Sequence, residues 1–268
     1  MHMPDHRPFA VVTGASKGIG HELARVFARN GYDLLITAGS EQVEEAGREL
    51  GTWGTKVQTV QSDLTKYEGV EKLWQVVQST GRPVDAIAIN AGVRVGGKFL
   101  ETDLEEELNL IQLNVASSVH LAKLVVRQMA GRGAGKILFT SSVAGTMATG
   151  LEAVYGASKA FILSFSKSLR YELKDTGITI TALQPGPRGT LFSPGAGIDD
   201  AEVGSEDKYT QDPAQVAEQG YLALMDGKDH VYASSIKTKS GRELSPIMPE
   251  STKAKIDQKR LETKKKAS

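Results

Sequence analysis

Short apolar runs alternate with longer amphipathic stretches from residue 9 to about residue 233. The amphipathic stretches have the spacing of surface helices, whereas the apolar runs have the length of strands that are buried on both faces. This alternation predicts an α/β fold, in which one parallel sheet is covered by helices on both faces and the crossovers are right-handed. The seven predicted strands are 9–12, 33–37, 56–60, 84–89, 136–140, 178–183 and 230–233. The predicted helices are 18–30, 41–50, 66–79, 101–130, 153–175 and 213–226.

Two segments depart from the alternation. Residues 187–212 are rich in Gly, Pro and acidic residues, and they follow the sixth predicted strand, at the sheet edge where open α/β sheets bind ligands. We expect a mobile lid there, with a disordered surface loop as the alternative. Residues 249–268 are basic, with seven Lys or Arg against three Asp or Glu. We interpret this end as a solubilising, frayed helix, and docking on acidic lipid or an acidic carrier protein is the alternative.

Composition excludes several classes of function. The chain has 32 basic and 32 acidic residues, which argues against a dedicated nucleic-acid binder, because such proteins cluster Lys and Arg against phosphates. The absence of Cys excludes disulfides, thiolate zinc sites and a cysteine nucleophile, and it favours a cytoplasmic location. The five His residues are scattered, so no metal site is predicted. The longest uncharged runs are too short and too polar to enter a membrane.

A glycine-rich turn at residues 13–20 follows the first predicted strand and begins a helix. Glycine lets the backbone turn tightly and approach a pyrophosphate, while the helix N-terminus offers free N–H groups to the anion. The predicted cofactor-binding residues of this turn are Gly14, Ser16, Lys17, Gly18, Ile19 and Gly20. The turn also satisfies G-x-S-x-G, which would make Ser16 the nucleophile of a hydrolase. Only thirteen residues precede Gly14, which leaves no earlier strand and loop for an oxyanion hole and argues against the hydrolase.

Further motifs fall at the ends of predicted strands or within the helices that follow them. In chain order they are Asp63-Leu64, Asn90-Ala91-Gly92, Asn114, Ser141-Ser142 and Tyr155 with Lys159. With this order, and with the thirteen-residue offset from Ser142 to Tyr155, the chain from about residue 8 to 233 resembles the short-chain dehydrogenase/reductase family. The resemblance implies a single Rossmann-like, doubly wound domain. We therefore expect a dinucleotide-binding catalytic domain at 1–240 and a basic extension at 241–268.

The resemblance also implies roles for single residues. Tyr155 would exchange a proton with the substrate oxygen, and Ser142 would hydrogen-bond that oxygen. Lys159 would hold the nicotinamide ribose, and Asn114 would anchor a water relay to it. Asp63, which can equally cap the next helix, would contact the adenine ring together with Leu64. Further cofactor contacts are implied for Asn90, Ala91, Gly92, Tyr155, Lys159, Pro185, Gly186 and Thr190.

The spacing of Tyr155 and Lys159 supports an electrostatic partnership. Residues four apart share one face of a helix. At ~4 Å and an effective dielectric constant of ~20, an ammonium stabilises a phenolate by about 4 kcal/mol, or roughly three pKa units. We therefore expect Lys159 to lower the pKa of the Tyr155 phenol from ~10 to near neutrality.

The end of the second predicted strand indicates which nicotinamide cofactor is used. An acidic residue there would bind the 2′-hydroxyl of NAD and repel the 2′-phosphate of NADP. Residues 36–40 contain no acid, and Ser40 could donate a hydrogen bond to a phosphate. The family resemblance implies that Lys17 contacts the 2′-phosphate. The sequence therefore predicts NADP, and NAD stays possible because the Arg of many NADP-dependent relatives is missing after this strand.

These residues predict an NADP-preferring oxidoreductase that interconverts a ketone and a secondary alcohol, with reduction favoured. The substrate is expected to be small and apolar. Arg188 interrupts the family pattern between Pro185-Gly186 and Thr190, and it is either a solvated loop residue or a contact for an anionic substrate. The alternative function is a catalytically silent protein that senses NADP on the same fold. The resemblance also implies a homo-oligomer, a dimer or a tetramer, formed through 101–130 and 153–175.

Overall fold

The computed structural model describes residues 7–186 and 212–233, in which seven parallel strands form one sheet. Their order across the sheet is β3-β2-β1-β4-β5-β6-β7. The strands are β1 (Phe9–Thr13), β2 (Asp33–Ala38), β3 (Val57–Gln61), β4 (Ala86–Ile89), β5 (Gly135–Thr140), β6 (Ile178–Pro185) and β7 (His230–Ala233). The predicted fold class, a doubly wound α/β sheet, is confirmed.

Helices cover both faces of the sheet. They are α1 (Gly18–Arg29), α2 (Gln42–Gly51), α3 (Tyr67–Ser79), α4 (Leu104–Ile111), α5 (Ser117–Arg132), α6 (Ala153–Glu172) and α7 (Pro213–Met225). One core lies between the sheet and α1, α2 and α7, and the other lies under α3, α5 and α6. On β1, Ala10 and Val12 enter the first core, while Phe9 and Val11 enter the second. Because successive strand residues point to opposite faces, burial on both faces requires the uninterrupted apolar run seen in the sequence.

The chain reverses its direction of winding at β1. The first three strands extend the sheet to one side, and β4 then pairs with the other side of β1, with Val12 opposite Ala88. A crevice opens outside the carboxyl ends of the strands at such a switch point, where α/β folds bind ligands. The glycine turn after β1 and Asn90 after β4 therefore meet at this crevice.

The helix predicted over 101–130 is present from Leu104 to Arg132, but it is not α-helical throughout. A π-helical turn, Gln112–Ala116, separates α4 from α5. α4 begins after Asp103, whose carboxylate accepts a hydrogen bond from the backbone N–H of Glu106 at 3.0 Å. A π-helical turn inserts one extra residue into the helix, often at a functional site. Here it contains Asn114.

Several predictions concern parts of the chain that lie outside the described residues. These are the lid over 187–212 except Asp212, the loop residues Arg188 and Thr190, and the extension at 241–268. Pro185 and Gly186 are described, and both are buried at the end of β6. Within 7–186 and 212–233, no helix is long and apolar enough to cross a membrane. The same part of the chain contains no group of three or more His, Cys, Asp or Glu placed to hold a metal ion.

Candidate active site

The glycine turn between β1 and α1 forms a tight backbone cradle. Gly14 has a φ of 67°, in the left-handed region that favours glycine, and a Cβ there would lie 2.9 Å from the Cα of Ala91. A Cβ on Gly20 would overlap the carbonyl oxygen of Gly14. Because α1 begins at Gly18, its first N–H groups and the positive end of its dipole lie at the carboxyl edge of the sheet. This cradle fits a pyrophosphate group.

Asn90 joins the carboxyl ends of three strands. Its side-chain nitrogen donates to the carbonyl oxygen of Thr13 at 3.1 Å, and its side-chain oxygen accepts from the hydroxyl of Thr140 at 3.0 Å. The hydroxyl of Thr13 accepts from the backbone N–H groups of Asn90 and Ala91, both at 2.9 Å. These bonds fix the ends of β1, β4 and β5 relative to one another, so the segments that follow them start from one rigid edge.

The side chains of Ser142 and Tyr155 meet beyond the end of β5. Ser142 caps a 3-10 turn, Val143–Thr146, and its hydroxyl accepts from the backbone N–H of Ala144 at 3.1 Å. Tyr155 lies in the first turn of α6, where the neighbouring Ser142 side chain acts to lower the pKa of its phenol. Both residues are buried. Two hydroxyl groups therefore converge on one point, which is the arrangement that proton exchange with a substrate oxygen requires.

Lys159 lies one turn after Tyr155 on α6 and is buried. Its ammonium donates to the carbonyl oxygen of Thr140 at 3.1 Å and lies 5.7 Å from the centre of the Tyr155 ring. The hydroxyl of Ser141 donates to the carbonyl oxygen of Lys159 at 2.7 Å, which fixes α6 against the end of β5. Burial lowers the pKa of Lys159 to about 8, because removal from water disfavours the charged amine.

The phenol of Tyr155 does not have the acidity that the sequence predicts. Burial raises the pKa of Tyr155, and the hydrogen bond with Ser142 and the charge of Arg94 oppose this effect only in part. The expected lowering by Lys159 was wrong for this structure. The Lys159 ammonium is directed to Thr140, and its own burial favours the uncharged amine.

Asn114 lies in the π-helical turn and connects the loop after β4 to α6. Its side-chain oxygen accepts from the N–H of Val93, and its side-chain nitrogen donates to the carbonyl of Val93, both at 2.9 Å. The same nitrogen donates to the hydroxyl of Ser158 at 3.1 Å. A Cβ on Gly92 would lie 3.0 Å from the Asn114 side-chain oxygen and 3.3 Å from the Lys159 ammonium. The structure thus brings together Gly92, Asn114 and Lys159.

The residues predicted to hold the adenosine moiety lie beyond β2 and β3. Ser40 is exposed, and its hydroxyl donates to the side-chain oxygen of Gln42 at 3.5 Å. The carboxylate of Asp63 accepts from the N–H and the hydroxyl of Thr65, at 3.0 and 2.7 Å. Asp63 therefore stabilises the turn that precedes α3, whereas the N-cap of the helix itself is Lys66, so the predicted alternative of a helix cap was wrong. Leu64 beside it is buried.

Two charged residues that the sequence analysis did not single out lie beside Tyr155. Arg94, in the loop after β4, forms an ion pair with Glu152, which directly precedes α6. The guanidinium carbon of Arg94 lies 5.9 Å from the centre of the Tyr155 ring. Arg94 follows Asn90 by four residues and Glu152 precedes Tyr155 by three. This closeness in sequence to two predicted site residues is the signal that could have identified them.

Apolar side chains surround the phenol. Tyr155 packs in one cluster with Val93, Val95, Leu110, Ala144 and Val154. A cavity of about 200 Å³ begins beside the first turn of α6, and its walls include Val95, Gly97, Phe99, Glu107, Leu151 and Glu152. The immediate surroundings of the phenol are therefore apolar, whereas the wall of the cavity also contains Lys98, Glu107 and Glu152.

Comparison with known proteins agrees with this geometry. A family model described as short chain dehydrogenase matches residues 8–196. The oxidoreductase UcpA of Salmonella typhimurium is 36% identical over 178 residues, which are 66% of this chain and 68% of that protein. The 3-oxoacyl-[acyl-carrier-protein] reductase FabG of Escherichia coli is 33% identical over 177 residues, 66% of this chain and 72% of FabG. A short-chain dehydrogenase from Sphingobium yanoikuyae, solved in complex with NADPH, superposes with a TM-score of 0.79 at 26% identity, over 90% of this chain and 93% of that one.

Proposed function

The chain belongs to the short-chain dehydrogenase family and is an oxidoreductase, and from this premise we propose that it uses NADP to interconvert a ketone and a secondary alcohol. Reduction of the carbonyl is the favoured direction. One observation carries the proposal: Ser142 and Tyr155 are both buried at the carboxyl edge of the sheet, close enough for the Ser142 side chain to lower the pKa of the phenol. A carbonyl oxygen placed between these hydroxyls accepts a hydrogen bond from each of them.

Tyr155 is the general acid of the reduction. When bound, NADPH supplies the hydride that adds to the carbonyl carbon. Tyr155 gives its phenol proton to the carbonyl oxygen, which becomes the alcohol hydroxyl, and the phenolate that remains takes a proton from solvent. Ser142 donates a hydrogen bond to the same oxygen and stabilises the negative charge that develops there. In the oxidation of an alcohol, the phenolate of Tyr155 accepts the hydroxyl proton.

Lys159 and Asn114 support this proton transfer. The pKa of Lys159, about 8, allows the amine to gain or lose a proton near neutral pH. In our proposal Lys159 holds the ribose hydroxyls of the cofactor and leads a proton toward Tyr155. Asn114 fixes the loop after β4 through its two hydrogen bonds with Val93 and anchors the water through which that proton arrives.

The described residues fit NADP at both ends of the crevice. The cradle from Gly14 to Gly20 receives the pyrophosphate, and Asp63 and Leu64 receive the adenine ring. At the end of β2, the chain continues as Ala38, Gly39 and Ser40, so this segment has no carboxylate to repel a 2′-phosphate. Lys17, the N-cap of α1, adds a positive charge near that phosphate. The NADPH complex of the similar Sphingobium enzyme supports the same cofactor.

The substrate that fits this site is a small apolar carbonyl compound. The side chains that pack around Tyr155 are apolar, and the adjoining cavity of about 200 Å³ has room for a modest substituent. Burial of that substituent against Val93 and Val95 would position the carbonyl at Ser142 and Tyr155.

We also propose that the chain forms a homo-oligomer, a dimer or a tetramer, through α4 and α6. Large apolar side chains are exposed on these helices, namely Leu104, Leu108, Ile111, Phe161 and Tyr171. Exposed apolar patches of this kind mark interaction surfaces. Light scattering at assay concentration tests this point: a mass of two or four chains supports it, and a monomer contradicts it.

Cofactor titration followed by turnover assays tests the proposed function. NADPH and NADH are titrated by fluorescence, and absorbance decay is then followed with a panel of ketones and aldehydes. NADPH binding with turnover of an apolar ketone supports the proposal. Binding without turnover of any carbonyl would favour a silent NADP sensor, and tighter binding of NADH than of NADPH would contradict the cofactor assignment.

A further inference from the structure

The ion pair of Arg94 and Glu152 is built into the wall beside Tyr155. The side chain of Arg94 is 22% exposed and that of Glu152 is 8% exposed. Ion pairs on an open surface are screened by water and salt, whereas charges withdrawn from water act strongly on their neighbours. The pair lies close enough to the phenol to influence it, because the guanidinium carbon is 5.9 Å from the ring centre.

Backbone contacts fix the pair in place. The N–H of Gly97, in the loop that carries Arg94, donates to the carbonyl oxygen of Leu151 at 2.7 Å. Leu151 has a φ of 63°, in the left-handed region that a branched side chain rarely adopts. Backbone strain of this kind persists where the surrounding structure demands it, and it is frequent at functional sites. Leu151 directly precedes Glu152, so its backbone conformation determines the position of the Glu152 carboxylate.

We propose that Arg94 is a positioning residue for proton transfer, whose charge stabilises the phenolate of Tyr155, and that Glu152 holds the guanidinium in place and limits its effect. This inference rests on the proposed function, in which Tyr155 is the group that exchanges the proton. Arg94 acts through Tyr155 and has no chemical step of its own. The electrostatic role that sequence reasoning gave to Lys159 thereby belongs to a cation from the loop after β4.

The charge distribution around the phenol supports this assignment. Burial raises the pKa of Tyr155, while the hydrogen bond with Ser142 and the positive charge of Arg94 lower it. Lys159 lies at a similar distance, 5.7 Å from the ring centre, but its pKa of about 8 leaves it mostly uncharged at the alkaline pH where a phenol ionises. Arg94 keeps its charge throughout that range.

The charged groups that face Tyr155 come from four elements of the described structure. Arg94 lies in the loop after β4, Glu152 before α6 and Lys159 within α6. Glu107 lies on α4, one turn before Leu110, which packs against Tyr155. The carboxylate of Glu107 accepts a hydrogen bond from the hydroxyl of Thr102 at 2.8 Å. The 3-10 turn after β5 contributes Ser142 and Ala144, which carry no charge.

Titration of the Tyr155 phenol tests the inference without substrate or cofactor. Tyrosine labelled with ¹³C at Cζ is followed by NMR against pH, and Tyr155→Phe identifies the signal. Arg94→Met should raise the phenol pKa by about one unit or more, because a facing charge at this range shifts a pKa by that amount. Glu152→Gln should lower it, because the guanidinium is no longer neutralised. Arg94→Lys should restore a value near that of the wild type.

Two further variants separate electrostatics from structural damage. The double variant Arg94→Met/Glu152→Gln leaves no unpaired buried charge, and its phenol pKa should lie between those of the two single variants. Arg82→Met is the matched control, because Arg82 pairs with Asp33 at 2.7 Å with side-chain exposures of 21% and 9%. Arg82 also stacks on Phe9, 4.9 Å from its ring centre, at the opposite edge of the sheet. This control variant should leave the pKa of the Tyr155 phenol unchanged.

The same variants are then assayed for carbonyl reduction against pH. Reduction needs the protonated phenol, so kcat/KM declines as the phenol ionises. The pH of this decline should be higher in Arg94→Met than in the wild type, and it should be lower in Glu152→Gln. Shifts of the two single variants in the same direction, or an equal shift in Arg82→Met, would overturn the inference. If the NMR shifts occur but no carbonyl is reduced, the inference about the phenol stands and the proposed function fails.

Discussion

The side chain of Ser142 lies close enough to Tyr155 to lower the pKa of its phenol, although the two residues are thirteen positions apart in the sequence. Ser142 is held by the N–H of Ala144 at the end of β5, and Tyr155 is held in the first turn of α6. Because each hydroxyl is fixed by a different element, a substrate oxygen meets both without any rearrangement of the backbone. Such preorganisation is the main source of stabilisation for developing charge in enzymes.

Ser142→Ala removes one of the two hydroxyls and leaves the other in place. We expect kcat for carbonyl reduction to fall about 10²–10³-fold, the loss typical of a donor that faces developing negative charge. The phenol pKa of Tyr155 should rise, because the hydrogen bond with Ser142 lowers it. Single-turnover kinetics checks the rate and NMR titration checks the phenol. A variant with unchanged kcat would show that Ser142 does not contact the substrate.

Gly20→Ala tests the backbone cradle. A Cβ at this position overlaps the carbonyl oxygen of Gly14, so the turn must shift, and we expect the Kd for NADPH to rise at least about tenfold. Gly51→Ala, at the end of α2, is the control, because a Cβ there meets open space among the described residues. Fluorescence titration of both variants checks the prediction. Equal affinities would show that the cradle does not hold the cofactor.

Ser40→Asp tests the cofactor preference. The substitution puts a carboxylate after β2, where it repels a 2′-phosphate and accepts hydrogen bonds from a ribose diol. We expect the ratio of kcat/KM for NADPH to that for NADH to fall by about tenfold or more, since like charges at an interface of this kind cost at least ~1.4 kcal/mol. Steady-state kinetics with both cofactors measures the ratio. An unchanged ratio would place the 2′-phosphate elsewhere.

Lys159→Met tests the cost of burying the amine. The pKa of Lys159 is lowered from 10.5 to about 8, so unfolding takes up a proton between these values and the wild-type free energy of unfolding rises with pH across that window. The variant has no such titration. Below pH 8 it should be more stable than the wild type by up to about 3 kcal/mol, and the difference should vanish near pH 10.5. Urea unfolding at several pH values measures this difference, and a difference independent of pH would refute the burial argument.

The sequence was sufficient to predict the sheet because its signals are local. The first predicted strand, 9–12, differs by one residue from β1, since an apolar run bounded by a glycine turn leaves little freedom. The positions of Ser142 and Tyr155 were also predictable, because each lies at the end or start of an element. In a parallel sheet, the residues that follow a strand and those that begin the next helix lie at the carboxyl edge, so both positions were expected there.

Features that depend on distant partners were not predictable in this way. The π-helical turn at Asn114 is stabilised by Val93 and Ser158, which lie 21 and 44 residues away in the chain. The apolar pattern of 101–130 contains no sign of the extra residue. The pair of Arg94 and Glu152 likewise joins two loops that approach each other only in the folded chain. The acidity of Tyr155 was mispredicted because burial, which the sequence does not display, outweighs the nearby charges.

The central claim is that Tyr155 exchanges the proton of the reaction, and Tyr155→Phe tests it most directly. The variant keeps the ring that packs among Val93, Val95 and Leu110 and removes only the hydroxyl. Carbonyl reduction by NADPH and NADPH affinity are measured for wild type and variant under the same conditions. We predict a loss of kcat of at least about 10²-fold, with a much smaller change in the Kd for NADPH. A variant that reduces the same ketone at the wild-type rate would contradict the account.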